Sequence, residues 1–167
     1  MRVVVMILVV AGCGRIGFDP SGTPPNDGTI DSDSDSSVGN ENTVQRACVT
    51  NAAYSTKAGL TNRYREVMTV VPWTTARANC MADEAHLWIP DTVMEAGAWS
   101  GDWVGITDAA NEGTWTTVEG TAAVFLPWTL GQPDGGGAEN CVRNEGTTFE
   151  DRGCADLRTY VCECRTN

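Results

Sequence analysis

The residues best suited to chemistry lie in one short stretch, GQPDGGGAENC, at residues 131–141. A proline stands between two residues with side-chain oxygens, and glycines then separate this pair from a carboxylate beside a cysteine. Calcium takes about six to eight oxygen ligands from carboxylates, amides, carbonyls and water. Two interpretations are therefore open for this stretch: a loop that binds calcium, or a tight turn closed by a disulfide.

Catalytic chemistry has few candidates in this chain. His86 is the single histidine, and no glycine-rich phosphate loop precedes a helix. Acidic residues number 22 against 11 basic ones, so little is available to neutralise a phosphate backbone. We therefore predict a protein that is not an enzyme and that binds no nucleic acid.

The N-terminus carries the pattern of an export signal. Arg2 precedes an apolar run from Val3 to Ala11, which is too short to span a hydrocarbon core of about 30 Å but is typical of a secretory signal. The end of the run, VVAGC, resembles the bacterial lipoprotein signal, which implies a segment 1–13 with lipidation at Cys13. A signal peptide cut nearby would instead leave Cys13 as an ordinary thiol. The expected location is the outer membrane or the cell surface, through a lipid anchor.

Six further cysteines form an even set in a chain that we expect to be exported. Such a set is typical of a disulfide framework, whereas a zinc site would need C-x-x-C pairs or clustered histidines. Six cysteines allow fifteen pairings, and their number alone leaves the pairing open. They are Cys48, Cys80, Cys141, Cys154, Cys162 and Cys164.

Composition divides the chain into a tether and a domain. Residues 14–44 are mostly proline, glycine, serine, threonine, asparagine and acid, with too little apolar surface to offset the entropy of ordering. We predict a disordered acidic tether there, which would hold a domain clear of a membrane. The domain is predicted at 45–165, because every tryptophan lies beyond the tether.

The domain begins with helical patterns and continues with short strands. Trp73, Ala76 and Cys80 are spaced i, i+3 and i+7 behind a proline, which predicts a helix with one buried face. A second helix is predicted over 91–99, with Asp91 or Thr92 as its N-cap. After residue 101 the residue pattern changes to one that predicts short strands separated by turns with glycine. Helices first and strands later predict an α+β domain.

An ordered series of motifs from Cys48 to Cys164 resembles the C-type lectin-like domain. The series comprises WTTARANC, HLWIP, DWVGITDAANEGTW, LPWTLGQPD, ENC and finally FEDRGCADLRTYVCE. The resemblance implies an α+β fold of two helices, short antiparallel strands and a long loop region. It also implies three disulfides, which are Cys80–Cys162, Cys141–Cys154 and Cys48–Cys164.

The resemblance also separates core aromatic residues from candidate surface ones. His86 matches a packing position of the family, so a binding role for it is not expected. Trp88 and Trp99 match no core position, which leaves a surface location open for them. Four other tryptophans match core positions, namely Trp73, Trp103, Trp115 and Trp128.

Sugar-binding members of the family hold calcium beside a cis proline, a later glutamate and an Asn-Asp pair. Pro133 takes the place of that proline and sets the shape of the loop. Carried over residue by residue, the resemblance implies five calcium ligands, all of them oxygen donors: Gln132, Asp134, Glu139, Glu150 and Asp151. It further implies a sugar-binding set of Gln132, Asp134, Glu139 and Asn140.

Two departures from the family pattern weaken the expectation for sugar. Glu150 replaces the asparagine of the Asn-Asp pair, and a carboxylate can accept hydrogen bonds but not donate them. Glycines 135–137 stand where galactose-binding members place an aromatic residue. A second calcium site is implied at Asp108 and Glu112, which would share Glu139, but Gly135 stands where the family has a further acid.

The expected function is a surface-anchored, calcium-dependent carbohydrate-binding module without catalytic activity. The alternative is a scaffold of the same fold that binds a protein and no sugar, with or without stabilising calcium. The predicted partners are accordingly a glycan or an extracellular protein, together with a membrane through the lipid at Cys13.

Overall fold

The computed structural model describes residues 46–166 of the chain. The helices are α1 (Ala47–Thr50), α2 (Trp73–Met81) and α3 (Val93–Ala96), with a 3-10 turn at Gly136–Ala138. The strands are β1 (Ser55–Thr56), β2 (Arg63–Val71), β3 (His86–Leu87), β4 (Trp103–Thr107), β5 (Thr116–Thr117), β6 (Cys141–Glu145), β7 (Thr148–Arg152) and β8 (Arg158–Cys164). The predicted signal segment, the lipidation site Cys13 and the tether 14–44 lie outside the described residues.

The strands form one mixed sheet in the order β1-β2-β8-β4-β6-β7, with β3 paired to β8 and β5 paired to β4. This arrangement confirms the α+β class. Every pairing is antiparallel except that of β4 with β8, where Trp103 lies opposite Tyr160 in a parallel register. The resemblance implied short antiparallel strands, and this one parallel pair departs from that expectation. The strands β4 and β8 are far apart in the chain, and local residue patterns carry no information about such long-range pairing.

The first predicted helix is present as α2. Pro72 occupies the N-cap, where its missing N–H is tolerated. Trp73, Ala76 and Cys80 are buried on one face, as their spacing predicts. The helix ends at Met81, and within 46–166 no helix is both long and apolar enough to cross a bilayer.

The second helix, α3, is shorter than the predicted helix over 91–99. Thr92 is its N-cap, and its side chain accepts a hydrogen bond of 3.2 Å from the backbone N–H three residues later, as predicted. The helix stops early because the buried side chain of Asn144 donates to the carbonyls of Ala96 at 2.9 Å and Trp99 at 2.7 Å. These bonds take the place of the backbone bonds that a longer helix would make.

Two clusters of buried side chains form the core. Trp73 and Trp103 belong to the cluster that surrounds the disulfides, and both are buried as predicted. Trp115 and Trp128 are half-buried against the second cluster, with ring centroids 4.9 Å apart. The predicted structural role of these four tryptophans agrees with their packing.

Trp88 and Trp99, for which a surface location was open, are both buried. Trp88 is fully buried and Trp99 is 8% exposed, with ring centroids 4.9 Å apart. Tyr64 packs on the other side of Trp99, also at 4.9 Å, and the ammonium of Lys57 lies 4.1 Å from its ring centroid. The two indoles therefore support the second cluster and leave no exposed aromatic face for a sugar to stack on.

Three disulfides cross-link the domain, and their pairing is the one that the resemblance implied. They are Cys48–Cys164, Cys80–Cys162 and Cys141–Cys154, with Cα–Cα distances of 5.9, 5.2 and 5.1 Å. The first joins α1 to the end of β8, and the second joins α2 to the same strand. The third ties the first residue of β6 to the turn between β7 and β8, and thereby fixes the end of the long loop.

Gly105 lets β4 approach the segment after β3 closely. Its N–H donates to the carbonyl of Trp88 at 2.6 Å, and its own carbonyl accepts from Val118 at 2.8 Å. A Cβ atom at this position would overlap the carbonyl oxygen of Leu87. The glycine of the WVGIT stretch is therefore required by packing.

Candidate functional site

The candidate site lies on the loop that leads from residue 127 to β6. The loop is tied to β7 by two backbone bonds, from Phe149 N to Pro127 O and from Thr129 N to Phe149 O, both 2.8 Å. The Gln132–Pro133 peptide bond is cis, as the resemblance implied. The loop ends at Cys141, whose disulfide holds it beside the end of β7.

Three of the five predicted calcium ligands come together on this loop. Asp134, Glu139 and Asp151 each offer a carboxylate oxygen, and these three oxygens lie within 4.8 Å of one another. Asp134 is exposed, Glu139 is half-buried and Asp151 is buried. A convergent set of carboxylate oxygens is the donor chemistry that a hard divalent cation prefers. We refer to these three residues as the carboxylate group.

Backbone hydrogen bonds fix the position of Asp151 in the carboxylate group. Its Oδ1 accepts from the N–H of Asp134 at 3.1 Å, and its Oδ2 accepts from the N–H of Gly135 at 2.9 Å. Gln132 connects both acids, because its Oε1 accepts from Asp151 N at 3.1 Å and its Nε2 donates to Asp134 Oδ1 at 2.9 Å. The fourth predicted ligand therefore lies in direct contact with the group.

Glu150, the fifth predicted ligand, lies apart from the carboxylate group. Neighbouring side chains on a strand point to opposite faces, so Glu150 and Asp151 diverge on β7. The Oε2 of Glu150 accepts from Arg143 Nε at 3.0 Å and forms an ion pair with Arg152. The resemblance could not show this arrangement, because it depends on Arg143, which lies outside the motifs, and on side-chain contacts of Arg152, which a motif does not give.

The predicted sugar-binding set is only partly available for a ligand. Gln132 Nε2, its clearest donor, is engaged with Asp134. Asn140 Nδ2 donates to the carbonyl of Gly137 at 3.1 Å, which also turns this amide into the loop. Asp134 and Glu139 offer acceptors only. Each amide nitrogen carries two N–H groups, so one N–H of either side chain is left to donate to a sugar hydroxyl.

The residues of the second predicted calcium site are placed less favourably. Asp108 is buried, its Oδ2 accepts from Gly113 N at 2.8 Å, and its Oδ1 has no partner. Glu112 is exposed and does not belong to a carboxylate cluster within 46–166. A side chain at Gly135 would overlap Glu139, so the conformation of Glu139 leaves no room for the missing acid. The unpartnered Asp108 oxygen is the one feature that fits an ion here.

A second polar network lies in the interior, and apart from the cap of α3 no sequence motif pointed to it. Tyr64 donates to Glu95 Oε1 at 2.8 Å, and Asp91 N donates to Glu95 Oε2 at 3.1 Å. Burial raises the pKa of Glu95 to about 6. Burial also raises the pKa of Glu163, which lies 3.8 Å from His86.

His86 lies in β3, opposite Glu163 of β8. It is buried, as predicted, and its burial lowers its pKa. Its Nδ1 lies 3.1 Å from the carbonyl oxygen of Leu87. Its role is therefore packing against β8.

Comparison with known families identifies the fold described above. Residues 69–164 match the family model described as the lectin C-type domain, which covers more than half of the 167-residue chain. The chain belongs to the C-type lectin domain family. The family expected from the motifs is thereby confirmed.

Curated relatives of this C-type lectin domain include human C-type lectin domain family 3 member A and human tetranectin. The first is 39% identical over 64 residues, which is 36% of this chain and 32% of the relative. The second is 36% identical over 67 residues, which is 36% of this chain and 33% of the relative. The chain thus spans about a third of the length of the curated relatives it matches.

Solved structures show the same fold. The mouse scavenger receptor C-type lectin carbohydrate-recognition domain has a TM-score of 0.62 at 19% identity, covering 70% of this chain and 98% of that one. The cow CD23 carbohydrate-recognition domain, solved with an oligosaccharide, has 0.61 at 23%, covering 70% and 97%. A calcium-independent type II antifreeze protein has 0.61 at 19%, covering 68% and 92%. The fold therefore accommodates different functions.

Proposed function

We propose that this C-type lectin domain is a calcium-dependent carbohydrate-binding module without catalytic activity. The observation that carries the proposal is the carboxylate group, whose three oxygens lie within 4.8 Å of one another beside the cis bond before Pro133. Carboxylates repel one another at such distances, so a divalent cation would stabilise their approach.

Four residues would hold the calcium ion. They are Asp134, Glu139 and Asp151 through carboxylate oxygens and Gln132 through Oε1, which already lies 3.1 Å from Asp151 N. Bound calcium would supply open coordination positions for ligand oxygens such as sugar hydroxyls. Glu150 is not part of this set, because Arg143 and Arg152 occupy its carboxylate. A weaker second ion at Asp108, Glu112 and Glu139 stays part of the proposal.

A scaffold that binds a protein and no sugar is the second candidate. Two observations favour it: the amides of Gln132 and Asn140 each make a hydrogen bond within the loop, and Trp88 and Trp99 are buried. The likeness to a calcium-independent antifreeze protein concerns the fold alone. Stability would then respond to calcium weakly or not at all.

We further propose that the chain is exported and held at the outer membrane or cell surface. The support is the sequence at residues 1–13, where a charged and apolar run ends in VVAGC. Lipid at Cys13 would supply the membrane partner, and the acidic segment 14–44 would act as a tether. The partner at the domain would be a glycan or an extracellular protein.

The test is a melting curve of the full chain in calcium and then in a chelator. At calcium concentrations about ten times the dissociation constant, binding stabilises by about 1.4 kcal/mol. Glu139→Gln should abolish the calcium-dependent part of the melting shift. Glu145→Gln is the matched control, because its exposed carboxylate lies on the neighbouring strand and outside the carboxylate group.

Retention on immobilised mannose, galactose and N-acetylglucosamine separates the two candidates. Calcium-dependent retention that the chelator reverses supports the carbohydrate-binding module. A melting shift without retention supports a calcium-stabilised scaffold. The absence of any calcium-dependent shift at millimolar calcium contradicts the calcium site and the lectin activity together.

A further inference from the structure

Arg152, the last residue of β7, lies between the carboxylate group and Glu150. Its Nη1 is 3.7 Å from Glu139 Oε2 and donates to the carbonyl of Asp151 at 2.9 Å. Its Nη2 forms an ion pair with Glu150. One guanidinium therefore contacts a proposed calcium ligand on one side and the displaced acid Glu150 on the other.

The chemistry of this contact opposes the binding of a cation. A guanidinium carries a permanent positive charge at physiological pH and cannot relieve repulsion by losing a proton. A divalent ion on Glu139 must share the carboxylate with that charge or displace it. Both side chains are partly exposed, Arg152 by 26% and Glu139 by 30%, so solvent weakens the interaction without abolishing it.

Arg143 makes a different set of contacts, although it lies near Arg152. It stands opposite Glu150 on β6, and its guanidinium pairs with Glu150 at 3.0 Å and also with Glu145. Its ion pairs do not include Glu139, Asp134 or Asp151 within 46–166. Of these two arginines, only Arg152 therefore places its charge beside Glu139, at 3.7 Å.

We propose that Arg152 is a built-in competitor for calcium at Glu139 and sets the calcium concentration at which the site fills. The inference rests on the proposed calcium site and adds a residue that lies outside its ligand set. Competition makes the calcium affinity lower than that of the same site without the charge of Arg152. When the ion binds, the guanidinium turns fully to Glu150, which Arg143 holds in place.

The experiment is isothermal titration of the full chain with calcium in about 0.15 M salt. Arg152→Gln removes the charge and retains a polar side chain, and we expect calcium affinity to rise about three- to tenfold. Arg152→Lys keeps the charge and should stay within about twofold of the wild type. Arg158→Gln removes a charge whose ion pair is with Asp156, and it should change affinity less than about twofold. The acidic segment 14–44 is identical in all four proteins, so differences report on the loop.

The outcomes separate this inference from the proposed function. If the wild type binds calcium and Arg152→Gln binds with the same affinity, the competition is refuted and the calcium site stands. If only Arg152→Gln binds, the competition is supported in its strongest form. If neither protein binds, the calcium site itself is wrong and the inference falls with it. Near-identical circular dichroism spectra must accompany each comparison, because a misfolded variant would also lose binding.

Discussion

The buried carboxyl group of Glu95 makes the stability of the domain depend on pH. Its ordinary pKa of 4.5 rises to about 6 in the folded protein, because burial disfavours the charged form. The folded state therefore holds a proton that the unfolded state has already released between pH 4.5 and 6. Stability from this group is complete below pH 4.5 and is lost as pH rises through 6.

The magnitude follows from the shift itself. A difference of about 1.5 pKa units corresponds to about 2 kcal/mol. The hydrogen bonds from Tyr64 and from the backbone N–H of Asp91 oppose the rise in pKa, whereas the charge of Glu163 and the side chain of Asp91 add to it. Glu95→Gln removes the titration, so the free energy of unfolding of the variant relative to the wild type should rise by about 2 kcal/mol between pH 4.5 and 7.

The assay is urea unfolding of both proteins at several pH values, followed by tryptophan fluorescence. The variant also loses hydrogen bonds, which shifts its free energy of unfolding by the same amount at every pH. This shift cancels, because only the pH dependence of the difference between the two proteins is used. Glu145→Gln controls for the removal of one surface carboxylate near β6. If the stability curves of the wild type and Glu95→Gln run parallel from pH 4.5 to 7, the carboxyl group does not titrate as the burial argument requires.

Three further changes test the packing described above. Gly105→Ala should destabilise the domain by about 1–3 kcal/mol in urea unfolding, because its Cβ would overlap a carbonyl oxygen; an unchanged midpoint would contradict the close approach. Asn144→Ala should lower the free energy of unfolding by about 2–4 kcal/mol in the same measurement, since two buried carbonyls lose their donor. A decrease below about 0.5 kcal/mol would refute the role of Asn144 as that donor. Replacing Cys141 and Cys154 by serine opens a loop whose ends are 13 positions apart in the sequence. The stability measured by thermal melting should fall by up to about 3 kcal/mol. A melting temperature equal to that of the wild type would argue against this stabilising role of the disulfide.

The parts of the fold that depend on local spacing could be predicted from the sequence. The spacing of Trp73, Ala76 and Cys80 predicted α2 with its buried face, and Thr92 is one of the two residues predicted as the cap of α3. The early end of α3 could not be predicted, because it depends on Asn144, which is distant in the chain. The parallel pairing of β4 with β8 is a long-range contact of the same kind.

The sequence predicted which residues lie at the candidate site better than it predicted how their side chains are arranged. The loop and β7 bring Asp134, Glu139 and Asp151 to one place, and their role as calcium ligands stays a prediction. The position of Glu150 could not be inferred, since it depends on the alternation along β7 and on ion pairs with Arg143 and Arg152 that the motif does not give. The burial of Trp88 and Trp99 was missed because their packing partners come from separate elements.

The bond between Cys48 and Cys164 determines how the domain carries mechanical load. Tension on the chain before residue 48 passes through the disulfide to the end of β8, and not into α1 alone. The strand β8 lies inside the sheet, between β2 and β4, and a second disulfide attaches it to α2. Force between a surface and a ligand on the loop would therefore reach the middle of the sheet through covalent bonds. It would not act first on an edge strand, where strands separate one after another.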